Sequence, residues 1–113
     1  MARPSRRGQA RDAPETVATV VYSPNALANL ERAIASLADS APDAVGAAAR
    51  AIRSAVDLLH HHPLIGRMVE GDLRELVISF GRTGYVALYR FVPAREEVRI
   101  LAIRHQRELD YPD

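Results

Sequence analysis

The chain predicts an α+β fold in the order β-α-α-β-β-β, a helical hairpin packed on a small antiparallel sheet. Three observations carry this. Residues 24–59 hold two stretches with apolar side chains at helical spacing, divided by a short break. Residues 74–103 switch to a period of two, in three segments joined by short turns. A β-branched, aromatic-ended run at 17–22 precedes the first helix. With 113 residues, the chain is long enough for one core and too short for two, so 17–113 reads as a single domain.

Each element has its own local reason. Residues 17–22 read as a short strand rich in Val and Thr. Ser23-Pro24 then opens a helix: Ser supplies a capping oxygen, and Pro at the first helical position forfeits an N–H that has no partner there. Leu27, Leu30, Ile34 and Leu37 form its apolar stripe. The segment 39–43 breaks the helix, and Ser40 with Asp43 has capping-box spacing for the next. Val45, Ala48, Ala49, Ile52, Val56 and Leu59 form the second stripe, whose alanines would let two helices approach closely. Leu76, Ile78 and Phe80 alternate with Glu75, Val77 and Ser79, a strand. Gly81–Gly84 reads as a turn, 85–92 as a second strand, 93–96 as another turn, and 98–103 as a third strand.

Composition narrows the chemistry. Cysteine is absent, which excludes disulfides, thiol catalysis and cysteine-ligated metals. All fifteen basic residues are Arg, so no side-chain amine exists for Schiff-base chemistry. Four of them lie in residues 1–16, a Pro- and Gly-containing stretch without hydrophobic period that reads as a flexible Arg-rich tail or a nucleic-acid-binding arm. The remaining eleven Arg face twelve acidic residues, so the body is not a generally basic nucleic-acid binder. No apolar run approaches membrane-spanning length, and the basic N-terminus lacks the apolar segment of a secretory signal. The expected location is the cytoplasm.

The residues offer few catalytic patterns. His60-His61-His62 sits at a helix C-terminus, where imidazolium complements the macrodipole. Consecutive residues point about 100° apart, so one helix face cannot use all three on a metal. No metal or cofactor is expected. Gly81 and Gly84 suit a hairpin turn better than a phosphate loop, because no helix follows. The C-terminal cluster of Arg104, His105 and Arg107, with Tyr111 close behind, is more informative. Arg with His can grip a phosphate and move a proton near neutral pH; a solvated, charge-balanced tail containing Glu108 and Asp110 is the plainer reading.

Several pieces together resemble the RelE/ParE superfamily of toxins from type II toxin–antitoxin systems. They are Tyr22-Ser23-Pro24-x-Ala26, His62-Pro63-Leu64-Ile65-Gly66-Arg67, Leu73-Arg74-Glu75-Leu76, Gly84-Tyr85 with Leu88-Tyr89-Arg90, and the run from Ile100 to Glu108. Their order spans residues 17–111, and within the superfamily the chain is most similar to ParE, the type often called a plasmid stabilisation protein. An acidic amphipathic partner helix would pair with Arg67, Arg74 and Arg90 beside apolar sheet surface that the helical hairpin leaves uncovered, and the resemblance implies that this partner is a cognate antitoxin. It implies one of two targets. ParE-like members poison DNA gyrase and are inhibitors, not enzymes. RelE-like members cleave mRNA on the ribosome. Nuclease relatives carry two Lys on the first meander strand and an Arg after Gly-Tyr, positions held here by Val77, Ser79 and Val86. Cations there stabilise the charged transition state, which Val and Ser cannot do. Arg107 and Tyr111 stand one residue out of register with the family's C-terminal Arg and Tyr. His105 matches the C-terminal His of other nuclease relatives. The resemblance therefore points to gyrase inhibition, with Arg104, His105, Arg107 and Tyr111 as the target-binding patch. The alternatives are an endoribonuclease using His105, Arg107 and Tyr111, or a domain of this fold that only binds a partner.

Overall fold

The computed structural model describes residues 17–108 and 110–112. The Arg-rich stretch 1–16 lies outside the described residues. Strand β1 (Thr19–Tyr22) leads into helix α1 (Pro24–Ser40), then α2 (Val45–His61). Four strands follow: β2 (Arg67–Glu70), β3 (Leu73–Phe80), β4 (Thr83–Val92) and β5 (Glu97–His105). They form one five-stranded sheet in the order β1-β5-β4-β3-β2. The α+β architecture is as predicted, with two corrections. The sheet is mixed, because β1 runs parallel to β5 while the other neighbours are antiparallel. The helical hairpin carries the chain from β1 across the sheet to β2 at the opposite edge, and the strands that follow return to β5 beside β1. The second correction is the extra strand β2, an exposed edge of four residues joined to β3 through Gly71-Asp72.

Local chemistry explains the helix ends. Ser23 caps α1 as expected: its Oγ accepts the Ala26 N–H at 3.0 Å. Ser40 does not cap α2. It is the last residue of α1, and its hydroxyl donates back to the Ser36 carbonyl at 3.1 Å. A single 3₁₀ turn, Pro42–Ala44, joins the helices instead. The inward face of α1 is also rotated from the predicted stripe. Ala26 and Asn29 are buried with Leu30 and Ala33 packed beside them, whereas Leu27 is largely exposed. Small residues on both helices bring them close to the sheet, not chiefly to each other: Ala26 and Ala55 join a cluster with Tyr85, Ala87, Tyr89, Val98 and Ile103.

The β3–β4 turn is tighter than predicted. Phe80 pairs with Thr83, so only Gly81-Arg82 turn the chain, and Gly84 belongs to β4. A Cβ on Gly84 would lie 2.5 Å from the Ile78 carbonyl, so glycine is required there by close backbone approach. Gly66 answers to a similar constraint before β2. Its N–H donates to the Tyr89 hydroxyl at 2.8 Å, its carbonyl accepts from Arg74 at 2.9 Å, and an added Cβ would meet the Tyr89 ring at 2.7 Å.

Candidate functional site

One face of the sheet carries both helices; the other does not. Register assigns side chains to each. Leu76, Ile78 and Phe80 on β3 share the helix side with Tyr85, Ala87 and Tyr89 on β4. Glu75, Val77 and Ser79 alternate to the open side, opposite Leu88, Val86 and Gly84. Ala102 and Arg104 on β5 continue those rows.

The predicted C-terminal patch is split by this alternation. Arg104 lies on the open face. His105, its neighbour in the strand, pairs with Tyr85 on the helix side, with ring centroids 5.9 Å apart and edge-on. Both His105 nitrogens are engaged. Nδ1 accepts the Arg107 N–H at 3.1 Å, which leaves Nε2 to donate to Thr83 Oγ1 at 2.7 Å. The ring lines a cleft of about 400 Å³ between α1 and the strand ends, with Asn29, Arg32 and Thr83. Arg107 is exposed in the turn after β5. Tyr111 folds back over the open face and joins Arg104, whose guanidinium carbon sits 5.2 Å from the ring centroid.

The centre of that open-face cluster is Glu75, which is absent from the site residues expected from sequence. Tyr111 donates its hydroxyl to Glu75 Oε2 at 2.6 Å, and Arg67 donates to Oε1 at 2.8 Å. Arg104 Nη2 stands 3.9 Å from Oε2. The Tyr111 hydrogen bond, then Arg67 and Arg104, hold the Glu75 carboxyl below its ordinary range against partial burial. Burial first, and the Glu75 carboxylate second, push the Tyr111 phenol up. At pH 7 the pair is a carboxylate accepting from a neutral phenol. The available signal was the alternation Leu73-Arg74-Glu75-Leu76, which sends Glu75 away from the helix side; nothing local connects it to residue 111.

The three arginines assigned to the antitoxin have different surroundings. Arg67 pairs with Glu75 and is mostly exposed. Arg90 pairs with Asp72 at 3.1 Å, both in solvent. Arg74 turns to the helix side and donates to the Leu64 and Gly66 carbonyls, pinning the loop that precedes β2. The histidine run closes α2. Ala18 and His60 exchange two bonds, the Ala18 N–H to the His60 carbonyl and the His60 Nδ1 to the Ala18 carbonyl. His61 Nδ1 donates to the Asp57 carbonyl. Among the described residues no group of three or more His, Asp or Glu side chains is placed to hold a metal. No helix among them is long and apolar enough to cross a membrane.

Comparison with known proteins agrees with this architecture. The structure is similar to one from the chromosomal ParDE toxin–antitoxin system of P. aeruginosa, with a TM-score of 0.62, 22% identity, and coverage of 79% of this chain and 96% of that one. In sequence the chain is 37% identical over 90 residues to Toxin RelE3 of Caulobacter vibrioides, covering 80% of this chain and 96% of the relative. Residues 20–110 match the family model of the ParE toxin of the type II toxin–antitoxin system parDE. A match over that span, on this fold, means that the chain belongs to the ParE toxin family of type II toxin–antitoxin systems.

Proposed function

We propose that this toxin acts in the cytoplasm by inhibiting DNA gyrase and is neutralised by a cognate antitoxin. The observation that carries the choice of target is the open sheet face. Where nuclease relatives would need cations, Val77 stands directly opposite Val86, and Ser79 opposite Gly84. His105, the remaining acid–base candidate, is turned to the helix side with both nitrogens bonded. Without cations at the positions of Val77, Ser79 and Val86, the face favours contact with a partner over stabilising the charged transition state of strand scission. The target-binding patch is the end of β5: Arg107 in solvent, Arg104 and Tyr111 stacked behind it, and His105 fixing the turn from the other side.

The antitoxin, an acidic amphipathic helix, docks where Arg67 and Arg90 leave guanidinium surface in solvent on the open face with exposed Val77. Arg74 contributes indirectly, by holding the preceding loop.

Purified toxin is expected to inhibit gyrase supercoiling and to accumulate cleaved DNA in the same reaction. Saturating toxin that changes neither sinks the gyrase reading. Primer extension on translated mRNA is the companion measurement: cleavage within codons, lost in His105→Ala, would establish the endoribonuclease instead.

A further inference from the structure

Glu75 lies on the face without helices, yet its side chain is only 10% exposed. It gathers donors from β2, β5 and the segment beyond β5: Arg67, Arg104 and Tyr111. Strands β3 and β5 flank β4, so the span from Glu75 to Arg104 crosses about 10 Å of sheet. Tyr111 bridges it, with its hydroxyl on Glu75 and its ring beneath the Arg104 guanidinium. That path passes over Val86 and Leu88, the β4 residues opposite Arg104 and Glu75. Val86 and Ala102, on this same face, are only 4% and 5% exposed. Arg104 Nη1 also donates to the Glu108 carbonyl at 2.7 Å, and Glu108 Oε1 accepts the His105 N–H at 2.6 Å. The chain after β5 is therefore fastened at Glu108 and at Tyr111, and Arg107 stands in solvent before both.

We propose that Glu75 is the positioning residue of the C-terminal contact surface, fixing Tyr111 and Arg104 so that Arg107 meets the target in one geometry. This rests on the reading that the end of β5 engages the toxin's target. A free tail loses conformational entropy when it binds; a fastened one has lost it on folding, so fastening strengthens binding without adding a contact.

Three variants test this. Glu75→Gln keeps the side-chain shape and removes the charge, Glu75→Asp withdraws the carboxylate, and Tyr111→Phe removes only the hydroxyl. Each is expected to need at least about tenfold more toxin to arrest growth without antitoxin, matching about one unit of ten in binding constant. Co-purification with the antitoxin is expected to be unchanged for Tyr111→Phe, which leaves the Arg67–Glu75 pair in place. The Glu75→Gln/Tyr111→Phe double variant should lose less than the sum of the two single losses, because the two residues act in one hydrogen-bonded cluster. Two readouts separate positioning from a general structural role. Trypsin should cut after Arg107 several-fold faster in the variants, with no change in cleavage inside the sheet. In ring-labelled protein, the Tyr111 resonance should titrate at lower pH in Glu75→Gln than in wild type. Full toxicity together with faster cleavage overturns the proposal, as does unchanged cleavage. Increased toxicity overturns it as well, since the segment would then mask the target surface. Tyr111→Phe carries the test should a Glu75 variant fail to fold. Wild-type toxin that arrests growth without affecting gyrase would refute the gyrase reading alone, because the growth comparison among variants remains readable.

Discussion

The two faces of one sheet are stabilised by different physics. On the helix side, Tyr89 and Val98 of the sheet and Leu59 of α2 are essentially inaccessible in one apolar cluster, so burial of apolar surface dominates. On the open side, a carboxylate, two guanidinium groups and a phenol do the covering, and Val77 stays 53% exposed. Packing of the first kind carries no charge to titrate, and loses several kcal/mol when a large side chain is truncated. A hydrogen-bonded cluster near the surface contributes less but responds to charge. The difference assigns the helix side to folding and leaves the open side available for partners.

Truncation on the helix side should give the largest effect. Tyr89→Ala removes a fully buried ring and the hydroxyl that accepts the Gly66 N–H. An expected loss of about 3–5 kcal/mol follows from deletion of a buried aromatic, measured by urea denaturation. A loss under about 1 kcal/mol would show that this face is not the main core. Tyr89→Phe separates the two parts, because it keeps the ring and leaves one buried donor unsatisfied at a cost of about 1–3 kcal/mol.

The open side should reveal itself through pH. Glu75 has a folded pKa depressed by Tyr111, Arg67 and Arg104, so its contribution is present above the ordinary carboxylate value. It disappears as pH falls through the lower folded value. Tyr111 is raised by burial and by Glu75, so its contribution is present below about pH 10, the ordinary phenol value, and is lost as pH climbs through the raised one. Wild type should therefore show acid and alkaline losses of stability that Glu75→Gln flattens at the acid end and Tyr111→Phe at the alkaline end. Urea midpoints at pH 3, 7 and 10.5 check this. Parallel curves for all three proteins would mean that the cluster contributes nothing that depends on ionisation.

The same contrast explains which parts were readable from sequence. Ser23-Pro24 announces α1 because capping is local, and the period of two from Leu76 to Phe80 survives because one face of β3 is buried. Arg67–Glu70 shows no period because all four residues are exposed; pairing with β3 makes it a strand. The parallel partnership of β1 with β5 is equally non-local, since a strand's own residues do not name its neighbour. At the site, Arg104 and Tyr111 lie close in sequence and do stack, but His105, next to Arg104 in the strand, points to the other face because adjacent strand residues point apart. Glu75 was invisible for a different reason: it meets Tyr111 across 36 positions of sequence. Charged clusters of this kind leave no periodic trace, whereas buried faces do.

The smallest stability effect should accompany a binding change. Arg90 and Asp72 form an ion pair at 3.1 Å with side chains 42% and 66% exposed. An exposed pair like this contributes under about 1 kcal/mol, screened further by salt. Arg90 also faces Arg99 directly across β4 and β5, a like-charge juxtaposition that offsets part of the gain. Arg90→Ala is therefore expected to leave the urea midpoint nearly unchanged. If Arg90 meets an acidic antitoxin helix, the substitution should slow association and flatten its dependence on ionic strength, with dissociation changed less. Surface plasmon resonance at two salt concentrations checks both terms. An association rate identical to wild type at low salt would remove Arg90 from the antitoxin surface, and would leave the exposed edge around Met68 and Val69 to hold that partner by apolar contact.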